Sequence, residues 1–107
     1  MTATVYYQRV YHPRYLRRYT LVRATATQIV VTPSPGEGSE IRINARTLRG
    51  VADREQYYAA TPDFDAEYEL QRRRRAATRA LQVLLDRELS LEECDRILDF
   101  AAELRTH

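Results

Sequence analysis

Between Tyr6 and Tyr19 the chain packs five tyrosines (Tyr6, Tyr7, Tyr11, Tyr15, Tyr19) and four arginines (Arg9, Arg14, Arg17, Arg18) into fourteen positions. Aromatic faces stack unpaired bases at about 1–3 kcal/mol each while guanidinium groups follow phosphates, which is the chemistry of single-stranded nucleic-acid binding. Tyrosine and arginine are also favoured contact residues on protein surfaces. A purely structural account is that alternate tyrosines fill the core of a small barrel without tryptophan, the arginines forming its solvated face. Strands turn alternate residues inward, so about half of these tyrosines are structural whatever the function. The candidate binding residues in this segment are Arg9, Tyr11, Arg14, Tyr15, Arg17, Arg18 and Tyr19.

A second concentration of positive charge is the run Arg72, Arg73, Arg74 and Arg75. On a helix, steps of about 100° send four successive side chains around most of the circumference, so no single face holds them. Burying an unpaired guanidinium is costly, which places this turn outside a dry core. These four residues are added as a phosphate clamp, against the simpler account of intrahelical pairing with Glu69 at about 0.2–0.5 kcal/mol per pair.

Catalytic chemistry has little to stand on. His12 sits beside Pro13, His107 is the last residue in the sequence, and neither has a local partner that would make it a base or a ligand. Cys94 falls on an apolar helical stripe and reads as a small core residue. Asp63, Asp65, Glu67 and Glu69 complement a helix N-terminus. Gly36 and Gly38 lack the lysine and following helix of a phosphate loop. A non-enzymatic protein with neither cofactor nor metal is expected.

The elements that must position these residues follow from pattern and composition. The 107 residues are 44% hydrophobic and 30% charged, which suits one compact domain or a small domain with a helical appendage. With one cysteine, an intramolecular disulfide framework is excluded. There is neither a membrane-length apolar run nor the apolar core of a secretory signal, so a cytoplasmic location, bacterial or in a phage-infected host, is expected. All 17 basic residues are arginine, as a GC-rich genome would encode. Although the net charge is +2, the chain is bipolar: residues 1–60 carry nine Arg and four acids, residues 61–107 eight Arg and eleven acids.

Val5, Tyr6, Tyr7, Val10 and Tyr11 mark a strand over about 4–11, stopped at His12-Pro13. Alternation predicts further strands at 15–24, 28–32 and 41–43, with Pro33–Gly38 the clearest turn signal, and the segment 47–51 as a short fifth strand or a helical turn. Short strands with tight turns and no crossover helices cannot make a parallel sheet, and closure protects the edges of an antiparallel one. The expected fold is therefore α+β, a five-stranded SH3-like barrel over residues 1–60 and an antiparallel helical hairpin over 61–107, with an OB-like barrel as second choice. Thr61 as N-cap, Pro62 at the first helical position and the acids that follow start a long helix at 62. Phe64, Tyr68 and Leu70 are expected to cover the barrel, and Ala77, Leu81, Leu84 and Leu85 to meet a second helix over 91–105. That helix opens on a capping box, Ser90-Leu91-Glu92-Glu93.

The run Ala24–Val31, the run Ile41–Val51, then Ala60-Thr61-Pro62 and an arginine-rich helix resemble the small β-barrel proteins of actinobacteria and their phages, over residues 5–90. The sequence departs from that pattern at the longer turn Pro33–Ser39 and at its tyrosine-rich start. The resemblance implies a barrel and a phage or bacterial setting, and no activity.

Nucleic acid, DNA or RNA, is thus the expected partner. The alternative is a phage-type protein that inhibits or redirects a host or viral protein, using Asp63, Asp65, Glu67, Glu69 and the acids of the last helix to mimic nucleic acid. Self-association through the helical pair is a third expectation, because two helices alone bury an apolar stripe poorly.

Overall fold

The structure is a computed structural model that describes residues 3–33 and 38–106. The turn expected at 33–38 falls largely on Ser34–Glu37, which lie outside the described residues, as does His107. The architecture is α+β. Five antiparallel strands form one curled half-barrel: β1 (Val5–Tyr11), β2 (Arg14–Ala24), β3 (Gln28–Thr32), β4 (Ile41–Asn44) and β5 (Tyr57–Ala59), in the order β4-β3-β2-β1-β5. Two helices follow, α1 (Pro62–Leu85) and α2 (Leu91–Arg105).

The first four strands lie within a residue of their expected bounds because each carries its own alternation and ends at its own turn. The β1–β2 turn holds a cis peptide at His12-Pro13. The β2–β3 turn is closed by Thr25, whose hydroxyl accepts from the Gln28 amide at 3.1 Å. The fifth strand is a correction. It is Tyr57–Ala59, paired antiparallel with β1 through Tyr7↔Tyr58, and not the segment 47–51. Residues 48–51 form a latch between the two ends of the sheet instead. Gly50 bridges Ile43 of β4, Arg49 bridges Gln56, and the Tyr57 amide donates to the Leu48 carbonyl at 2.8 Å. Left-handed backbone at Leu48 and Arg54, with φ of 57° and 58°, turns the chain too sharply for a regular strand there.

Antiparallel register assigns the two faces of the β1–β2 hairpin. Tyr6↔Tyr19, Gln8↔Arg17 and Val10↔Tyr15 share one face; Tyr7↔Arg18, Arg9↔Leu16 and Tyr11↔Arg14 share the other. The first face enters the core, where Tyr6, Tyr19, Ile29, Val31, Ile43 and Tyr57 are buried together. Val22 is the extra residue at a bulge in β2, between Leu21↔Val31 and Arg23↔Val30, and its side chain is exposed.

The second face is covered by the start of α1. Tyr7 stacks on Phe64 with centroids 5.8 Å apart and meets Tyr68 at 5.5 Å, and Tyr58 stacks on Phe64 at 5.4 Å. Such pairs contribute about 0.5–1.5 kcal/mol each beyond area burial. Thr61 caps the helix, its hydroxyl accepting from the Phe64 amide at 3.2 Å. Phe64 and Tyr68 thus lie on the sheet, whereas Leu70 is half exposed. Gln71 acts on the sheet edge. Its amide accepts from Leu16 N–H at 2.7 Å and donates to Leu16 C=O at 2.9 Å, supplying the two bonds a neighbouring strand would have made. Gln71→Ala is expected to cost about 1–3 kcal/mol, the penalty for leaving such groups unmet. Hydrogen exchange checks it, with protection lost at Leu16 before the rest of β2.

The chain divides into two compact units, one up to Arg72 and one from Arg73 onward, so the division falls inside α1, within the arginine run. In the second unit α2 keeps its capping box, the Ser90 hydroxyl accepting from the Glu93 amide at 3.2 Å and the Glu93 carboxylate from the Ser90 amide at 3.1 Å. Arg87 clamps the same carboxylate and holds its pKa at about 2. No residue of α1 or α2 is fully buried, and Leu81, Leu84 and Leu85 are exposed.

Candidate nucleic-acid interface

The candidate site is the outer part of the β1–β2 hairpin. β3 pairs with β2 only from Thr20 onward, and β5 pairs with β1 only over Tyr6–Gln8. Among the described residues, Arg9 to Tyr19 therefore form a two-stranded ribbon extending past its neighbours, with Gln71 on one edge. Tyr11 opposes Arg14 on one face of this ribbon and Tyr15 shares the other with Arg17.

The sequence-derived residues separate into two sets. Arg9 is tied down: its guanidinium makes a two-pronged contact with Glu67, at 2.9 and 3.3 Å, and lies 5.9 Å from the Phe64 ring centroid. Tyr19 is only 2% exposed, with its hydroxyl donating to Gln8 Oε1 at 2.8 Å, so its ring offers no stacking surface. Tyr11 is 62% exposed at the tip, and Arg14, Arg17 and Arg18 are exposed as well. Tyr15 is half-buried; its hydroxyl accepts from Arg17 Nε at 3.1 Å, and the guanidinium lies 5.9 Å from the ring centroid. Arg18 lies over Tyr68 at 5.8 Å. None of Arg14, Arg17 and Arg18 is in an ion pair with a carboxylate among the described residues.

The helical arginines behave differently. Arg72 pairs with Glu69 at 3.4 Å, and Arg73 and Arg75 are engaged as well. Three of the acids proposed as nucleic-acid mimics are also engaged: Asp65 accepts from the Tyr7 hydroxyl at 2.6 Å, Glu67 holds Arg9 and Glu69 holds Arg72. Sequence reasoning missed Gln71, which has no signature, and the service of Tyr68 as a platform for Arg18. Among the described residues there is no group of three His, Cys, Asp or Glu able to hold a metal, and no helix long and apolar enough to cross a membrane.

The buried phenols explain which tyrosines are structural. Burial, reinforced by Asp65, pushes Tyr7 up to about 12, and burial with Asp53 beside it raises Tyr57 further. Both shifts favour the neutral form in the folded state. The stabilisation they carry is complete below the unfolded value near 10 and is lost as pH rises toward about 12. In a tyrosinate absorbance titration, Tyr7 and Tyr57 are expected to remain protonated well above pH 10. A single transition near pH 10 for all eight tyrosines would contradict this packing.

Comparison with protein-family models, curated proteins and solved structures finds no match.

Proposed function

We propose that the protein is a non-catalytic nucleic-acid-binding protein whose contact surface is the outer β1–β2 hairpin, acting on single strands in a bacterial or phage-infected cytoplasm. The observation that carries this reading is the outer ribbon with Tyr11, Arg14, Tyr15, Arg17 and Arg18, these three arginines outside any carboxylate pair among the described residues. Exposed tyrosine faces stack bases, and guanidinium forks take phosphates bidentately. We read the half-barrel as SH3-like, on its five short antiparallel strands and tight turns, and the two helices as an antiparallel hairpin. The protein-directed reading is the weaker one, since Asp65, Glu67 and Glu69 are already bound to groups of this chain.

Fluorescence anisotropy against a labelled single-stranded oligonucleotide tests the proposal. With three arginines on phosphates, log K is expected to fall with log salt at a slope of about −2. Undetectable binding at low salt, or binding indifferent to salt, would refute it.

A further inference from the structure

We infer that the unit from Arg73 onward is a self-association surface, and that a second copy of this chain covers it in a two-fold dimer. Leu81, Leu84 and Leu85 at the end of α1 and Leu91, Leu98 and Leu104 of α2 are between 36% and 80% exposed. Their individual exposures sum to on the order of 600 Å² of apolar surface, against the roughly 800 Å² each partner gives a stable interface. Isolated leucines at a surface are ordinary, but six on two successive helices that have no fully buried residue are not.

Charge selects the occupant. From Arg73 to its end α1 carries Arg73, Arg74, Arg75 and Arg79 and no acid, whereas α2 carries five acids and two arginines. Asp95, Asp99 and Glu103 recur at i, i+4 and i+8, one acidic row beside Leu91 and Leu98. A partner of one sign would satisfy one helix and repel the other. A second copy related by a two-fold axis sets each basic segment against an acidic helix twice, the self-complementarity an isologous interface requires.

Analytical ultracentrifugation of the full chain tests this. The wild type is expected to sediment at twice 12.5 kDa at low micromolar concentration, with Leu98→Asp and Asp99→Arg each weakening the dimer by about tenfold or more. Val22→Asp, an exposed bulge position in the first unit, leaves the mass unchanged. Because Leu98→Asp acts on an exposed position, circular dichroism should report unchanged helix content in the monomer. Adding Arg74→Glu, in line with Leu81 on α1, to Asp99→Arg is expected to restore association, a recovery that loss of folding would not allow. A wild-type monomer throughout the micromolar range, or a dimer indifferent to both α2 substitutions, overturns the inference.

Discussion

Gly50→Ala is expected to destabilise the first unit by about 2–4 kcal/mol, lowering its melting temperature by roughly 10–20 °C. Gly50 is buried in the latch between β4 and β5, and a Cβ there would fall 2.7 Å from Asp53 Cγ and collide with its Oδ1. Asp53 cannot yield cheaply. Its Oδ1 accepts from the Glu55 amide at 2.9 Å and its Oδ2 from the buried Tyr57 hydroxyl at 2.7 Å. Displacing the carboxylate strands that hydroxyl in the core, at about 1–3 kcal/mol, and strains the latch besides. Gly38 supplies the contrast. Its φ of 76° disfavours a side chain, yet nothing lies within 4 Å, so Gly38→Ala is expected to cost only about 1 kcal/mol. Adding Asp53→Ala and Tyr57→Phe to Gly50→Ala removes both the collision and the stranded hydroxyl, and part of the loss should return. Chemical denaturation measures all three; a Gly50→Ala protein within about 0.5 kcal/mol of wild type would contradict the latch.

The second large effect is on binding. Replacing Arg14, Arg17 and Arg18 together by alanine is expected to weaken single-stranded nucleic acid by about a hundredfold at low salt and to flatten the salt dependence toward zero. Three phosphate contacts imply that raising salt from about 50 to 200 mM weakens the wild type by roughly twentyfold, a dependence this variant should lack. Stability should change little, since the structural losses are two cation–π contacts of about 0.5–1 kcal/mol each and one exposed hydrogen bond from Arg17 to Tyr15. Arg9→Ala separates charge from position. It removes one positive charge from the neighbouring strand β1, but from a residue already held by Glu67, and the salt slope should stay as it was.

Those two predictions rest on residues that the sequence revealed unequally. The first four strands and both helix starts were legible because their signals are local: alternation, Thr61-Pro62, and the Ser90/Glu93 capping box. β5 was not, since Tyr57–Ala59 becomes a strand only by pairing with β1 some fifty residues earlier, and three residues carry too little alternation to announce it. The same holds within the tyrosine and arginine cluster. Its composition identified the hairpin, but only the register told Tyr19 in the core from Tyr11 at the tip. The Arg9–Glu67 and Tyr7–Asp65 contacts join positions 58 apart, and no spacing rule reaches that far. Asp65 and Glu67, which read as dipole complementation or mimicry, also fasten α1 to the sheet. The apolar residues of α1 and α2 sit at helical spacing, yet that spacing does not say whether the partner lies in the same chain.

Where nucleic acid touches the protein is the decisive observation. Titrating isotope-labelled protein with a single-stranded oligonucleotide, followed through backbone amide and arginine side-chain resonances, locates that contact directly. Saturable shifts clustered from Tyr11 to Arg18, with the Gly50 latch and α2 unmoved, are the expected result. Shifts centred on Arg72–Arg75, or none anywhere at low salt, would contradict it.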